Sequence, residues 1–203
     1  MTVPTNLPSD LQQLIVQAQA VVRDHAQHEL RPIFRLSIYH AIMATPSVYS
    51  QLAILTAYQV LPLWTRDCPA EPLAVQLLRL AEDIRLGIGD RSVAEQAVED
   101  AWEQLTRFGA DDGRVSKAGF FAGVAAREAL LAVLSRDPFD AVLIRETTTD
   151  DDLDPWSSDP PHWAARAWTS DQQNPEPHAA KQHTFWEWRL TEAIPQAWQT
   201  SVS

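Results

Sequence analysis

His183 and Glu187 stand four residues apart in a segment with helical periodicity, close enough to touch. A histidine beside a carboxylate is the minimum needed to move a proton. The pattern that makes such a pair a zinc hydrolase, His-Glu-x-x-His, is absent, so the plain reading is a pair on a helix surface. His25 and His28, with Glu29, could share a helix face, but no third ligand stands nearby, and a solvated helix end explains them better than a metal. Asp150, Asp152 and Asp154 reproduce the first half of a calcium loop. That loop requires a glycine at its sixth position and a bidentate glutamate at its twelfth, where this chain has Pro155 and Pro161. Three readings of the run stay open: a solvated loop, a looser cation site, and an acidic patch facing a partner. Cys68 lies between Asp67 and Pro69, and the neighbouring carboxylate disfavours the thiolate a nucleophile would need. No nucleophile elbow, phosphate-binding glycine loop or dinucleotide fingerprint occurs. The expectation is a protein with no catalytic residues, no metal and no cofactor.

The elements that would position these residues are helical. Only six glycines occur, and apolar residues recur at three and four positions with almost no β-branched alternation. Ser9 or Asp10 could cap a first helix with Leu11, Leu14, Ile15, Ala18 and Val22 on one face. Pro32 opens a second helix that reaches about Met43. Pro46 opens a third over 47–61, with Pro62 as its end or a kink. A fourth runs over 72–86 with Leu73, Leu77, Leu80 and Ile84 inward, stopped by Gly87 and Gly89. Ser92 and Glu95 read as a capping box for a fifth. The sixth, over 116–135, carries a face of Gly119, Ala122, Gly123, Ala126 and Ala129, which suits a central position. A short helix over 162–169 and a last one over 177–194 follow, with Pro195 stopping or kinking the last.

The chain has 203 residues, enough for one domain with a substantial core, taken as 1–203. The fold class expected is all-α, a single-domain bundle of about six to eight helices. Six of the eight tryptophans follow residue 155, in an arm expected to pack onto and close that bundle. Net charge is -11, a poor match to nucleic acid or to an anionic membrane surface. Residues 137–160 hold eight acids and one base, a local charge of -7 (one minus eight), and 145–161 reads as an acidic, proline-containing loop. Asp150, Asp151, Asp152 and Asp154 are the residues expected to meet a partner with basic groups. The single cysteine cannot form an internal disulfide, and Met1 to Asp10 lacks the pattern of a signal peptide, so a cytoplasmic protein is expected. No apolar run reaches the length of a membrane span.

Lys181, Phe185, Trp186, Trp188, Leu190, Ala193 and Pro195 resemble the C-terminal signature of an all-α immunity protein family of bacterial polymorphic toxin systems, the fifth in the usual numbering. That signature reads roughly Lys-Arg-x-x-Phe-Trp-x-Trp-Tyr-Leu-x-x-Ala-Val-Pro. Gln182 stands where it has arginine, and Arg189 where it has tyrosine. Leu61-Pro62-Leu63-Trp64, Ala97 with Ala101-Trp102, Ala122-Gly123 with Ala126 and Ala129, and Trp163-Ala164-Ala165 are similar to upstream elements of the family, so the likeness spans about 48–198. The resemblance implies a protein that binds and neutralises a cognate toxin domain, with the motif residues Trp64, Trp102, Lys181, Phe185, Trp186 and Trp188 as its marks and no set of toxin-contacting residues attached. Such a partner is expected to be basic. The competing readings are a helical scaffold or adaptor in a larger assembly, and an enzyme built on His183 and Glu187 or on a metal held by the acidic loop. The oligomeric state is not legible.

Overall fold

The computed structural model describes residues 7–110, 115–134, 145, 148–150 and 159–202. These are all-α, with 79% of the structure helical and no strand among the described residues. Helix α1 is Ser9–Asp24, α2 Pro32–Ile42, α3 Pro46–Asp67, α4 Leu73–Arg85, α5 Arg91–Ala110, α6 Lys117–Leu134, α7 Pro160–Ser170, α8 His178–Trp188 and α9 Ile194–Val202. A π-helical turn, Arg189–Ala193, joins α8 to α9 without interruption. The chain gathers into two compact units interleaved along the sequence. The first takes its described residues from Met1–Leu52, Phe139–Ser158 and Glu176–Ser203; the second from Ala53–Pro138 and Asp159–Pro175. The tryptophan-rich segment is thus divided: α7 belongs to the second unit, and α8 and α9 to the first.

In the first unit α1 packs on α2, on α8 and on the π turn. Leu11, Ile15, Ala18 and Val22 supply the buried stripe of α1, while Leu14 is half-buried. Pro8, rather than Ser9 or Asp10, occupies the cap position, and no side chain caps this helix. Trp186, Leu190, Ala193 and Ile194 form the inward stripe of the C-terminal helices, all fully buried. Pro195 does not stop the helix. The Ile194 N–H reaches back to the Arg189 carbonyl, five residues away, so the turn before Pro195 is widened where a pyrrolidine ring would otherwise strike the preceding turn.

In the second unit α6 is central, packing against α4, α5 and α7. Its small residues explain why. A Cβ at Gly123 would lie 2.6 Å from Leu105 Cδ2 and 2.7 Å from Trp64 Cζ3, so only glycine admits both side chains. Helix α3 continues through Pro62 to Asp67 instead of ending there. Leu63 and the fully buried Trp64 lie just beyond the proline. Their burial offsets the about 3 kcal/mol that an interior proline costs. On α4 the buried residues are Leu73, Ala74, Leu77, Leu78 and Ala81, a face turned from the expected one, and Leu80 and Ile84 are only half-buried. The expected capping box at the start of α5 is not formed. Asp90 caps the helix, accepting the Ser92 N–H at 2.8 Å and the Val93 N–H at 3.3 Å, while Glu95 pairs with Arg91 at 2.8 Å. Asp90 stands two positions before Ser92, just ahead of the helix, so its carboxylate meets the first free N–H groups and Ser92 falls inside the first turn.

Candidate functional site

The C-terminal motif is built into the core of the first unit. Phe185 and Trp186 are buried against each other edge to face, with ring centroids 5.1 Å apart. Trp188 is half-buried and tilted against Phe185 at 5.9 Å. Trp186 Nε1 donates to Gln182 Oε1 at 2.9 Å, so Gln182 satisfies the indole from one turn earlier. Lys181 and Arg189 are both buried, although charged.

Arg35 is the polar centre of this unit. Its guanidinium lies 5.7 Å from the centroid of the Trp186 ring, and Nη1 donates to the Leu30 carbonyl at 2.8 Å. The same fork grips both carboxylate oxygens of Asp150, with Nη1 donating to Oδ2 at 3.1 Å and Nη2 pairing with Oδ1. The side chains of Arg35 and Asp150 are 2% and 18% exposed, so Asp150 is held in a largely desolvated bidentate ion pair. Beside it, the Thr148 Oγ1 accepts the Arg145 N–H at 2.8 Å and the Thr148 N–H reaches the Arg145 carbonyl at 3.0 Å, a tight local turn. Of the four aspartates expected to meet a partner, Asp150 is therefore engaged by Arg35. Asp151, Asp152 and Asp154 lie outside the described residues.

His183 and Glu187 turn to separate neighbours. His183 meets His28 edge to face at 5.3 Å, and Glu187 Oε1 accepts from Gln19 Nε2 at 3.0 Å. His28 holds a left-handed backbone, φ 54°, with its Nδ1 2.8 Å from the Val22 carbonyl, which seats the ring at the end of α1. His25 accepts the Gln27 N–H within that same turn. Among the described residues no group of three or more His, Cys, Asp or Glu side chains is placed to hold a metal. Cys68 is buried, and burial, then the charges of Asp67 and Glu71, push its thiol up, so it stays protonated.

In the second unit, Trp64 is fully buried, donates from Nε1 to the Glu71 carbonyl at 3.0 Å, and meets Phe108 edge to face at 5.8 Å. Trp102 is half-buried under the Arg127 guanidinium, 5.3 Å from its ring. Arg127 also donates to the Val98 carbonyl at 3.0 Å and pairs with Glu128 at 2.5 Å. Burial raises the Glu128 carboxyl above its usual range, against the lowering pull of Arg127. Arg166 lies 4.6 Å from the Phe121 centroid and 5.5 Å from that of Trp163, an aromatic seat on α6 and α7.

Sequence reasoning missed Arg35, Asp90 and Arg127. Arg35 stands on an apolar face at helical spacing, between Pro32 and Tyr39, and an arginine there signals a buried acceptor. Asp90 follows Gly89 at the head of a helical pattern, the ordinary setting of an N-cap. The motif tryptophans are packing anchors or half-buried rings; none of them forms part of a reactive cluster. What the arrangement can do is present helical surfaces on each unit. A protein-family model described as immunity protein Imm5 matches residues 15–196. No curated protein matches the chain.

Proposed function

We propose, because the chain belongs to the immunity protein Imm5 family, that it binds a cognate bacterial toxin domain and neutralises it by occupying its surface. The observation that carries this reading is the extent of the family match, residues 15–196, which takes in elements of both compact units. One further observation supports it. The net charge of -11 suits a partner with a basic face. The protein acts on its partner by binding, without chemistry of its own, and does so in the cytoplasm, where its lone cysteine stays reduced.

Asp151, Asp152 and Asp154 steer the encounter, while Asp150 is engaged by Arg35. Long-range attraction raises the association rate and is screened by salt, so it is separable from the affinity set by packed side chains. Replacing Asp151, Asp152 and Asp154 together with asparagine is expected to slow association by about 3- to 10-fold at low salt and to flatten its salt dependence. Stopped-flow association with the product of the adjacent toxin gene measures this. Unchanged kinetics across the salt series would remove steering from these residues.

A further inference from the structure

Five large hydrophobic residues stand exposed among the described residues, and three of them, Leu86, Ile88 and Val93, fall within the turn between α4 and α5 and the first residues of α5. They are 58%, 73% and 54% exposed. The turn that carries them is tightly specified. Gly87 takes φ 74°, its N–H reaches the Ile84 carbonyl at 3.0 Å, and the Ile88 N–H reaches the Asp83 carbonyl at 3.0 Å. That is a complete Schellman cap on α4. In such a cap the residue after the glycine ordinarily closes a hydrophobic contact with the last turn of the helix. Here the last-turn positions it would meet are Glu82 and Asp83, and Ile88 turns outward instead. On the far side of the turn Asp90 caps α5. A turn capped from both helices costs little ordering when it is bound.

Val93 continues into the outward face of α5. Val93, Gln96, Asp100 and Glu103 follow one another at three and four residues, so they share one stripe, all exposed. From Asp90 to Arg107 the exposed charges are Asp90, Glu95, Glu99, Asp100 and Glu103 against Arg91 and Arg107, a net of -3 (two minus five). An apolar tip running into an acidic helix face fits one kind of occupant: an apolar depression bordered by lysines or arginines. We infer that Leu86, Ile88 and Val93, with the Asp100–Glu103 stripe of α5, form the surface that docks onto the basic face of the toxin domain. This rests on the toxin-binding reading above and gives it a location on the second unit. The tip supplies buried apolar contact, and the stripe supplies charge complementarity at its border.

The test uses the full chain and a catalytically inactivated product of the adjacent toxin gene, by calorimetric titration. Ile88→Arg is expected to weaken binding by about 100-fold, because it places a cation against a basic rim and removes the apolar contact. Its helical signal and melting temperature are expected to match the wild type, since the residue is exposed. Val16→Arg, on α1 and 57% exposed, is the control and is expected to bind within about 2-fold of wild type. Glu99→Gln with Asp100→Asn and Glu103→Gln is expected to reduce the salt dependence of the dissociation constant. If the wild type binds and Ile88→Arg binds equally well, this surface is wrong and the toxin-binding reading stands. A change in the oligomeric state of Ile88→Arg with toxin binding intact would assign the tip to a second copy of the chain and also overturn it. If the wild type forms no complex, the toxin-binding reading fails and this surface falls with it.

Discussion

Arg35 joins three demands in one side chain: the Leu30 carbonyl, the Trp186 face and the Asp150 carboxylate. A buried pair is costly to break from one side, because the partner left behind keeps its charge. Asp150→Ala is expected to destabilise the fold by about 3 kcal/mol, read by urea unfolding, whereas Arg35→Met combined with Asp150→Leu is expected to recover most of that loss. An equal cost for the single and double variants would mean that Arg35 works through packing alone. Asp90 gives a pH signature of a different kind. Hydrogen bonds from the Ser92 hydroxyl, the Val93 N–H and the Ser92 N–H hold its carboxyl below the usual 3.8. A depressed carboxylate contributes stability above its unfolded value and loses it as pH falls through the folded one. Asp90→Ala is therefore expected to lower the melting temperature at neutral pH, with the gap to wild type closing as pH drops below 3.8 and the wild-type carboxylate is itself protonated. A gap that stays constant would show that Asp90 caps α5 without its charge. Residues of this sort were hard to read in advance. Type and spacing marked Asp150 as an exposed acid, but the arginine that grips it lies 115 positions away, and no local pattern links the two.

At the scale of elements, the sequence was most legible where small or apolar residues repeat. The Gly119–Ala129 face of α6 did mark the helix that α4, α5 and α7 surround. Gly123→Ala tests this directly: with Leu105 and Trp64 less than 3 Å from the added methyl, the expected loss is about 1–3 kcal/mol by thermal or urea unfolding. A neutral substitution would mean that the helices can move apart at no cost. Prolines were the least legible. Pro62 and Pro195 each carry a local signal to stop, and each lies inside a helix that continues. Beyond Pro62, buried Leu63 and Trp64 hold the chain helical; before Pro195, the π turn makes room for the ring. In both cases tertiary packing overrides a propensity that is correct for an isolated helix. The capping box failed because the helix begins before Ser92: Asp90 takes the Ser92 and Val93 N–H groups, and the Ser92 hydroxyl itself donates to that carboxylate.

The whole molecule is a helical, acidic chain of the Imm5 immunity family, and the function proposed for it is to cover a toxin domain. The all-α class was readable from periodicity, and the family from its C-terminal motif. The partition into two interleaved units was not, because each unit closes with segments distant in sequence, 176–203 for the first and 159–175 for the second. The surface proposed here for docking was also hidden, since the sequence draws the eye to the -7 of residues 137–160 while the apolar tip at Leu86 and Ile88 looks like an ordinary helix end. Salt separates electrostatic from packed contributions at this scale: raising ionic strength is expected to slow association markedly while changing dissociation little. The most direct measurement is co-expression of the chain with the active product of the adjacent toxin gene, scored by host survival and by size-exclusion chromatography of the lysate. Survival that depends on this chain and a single co-eluting complex are the result expected from the proposed function. Cell death despite folded, abundant protein, with the two chains eluting apart, would contradict it.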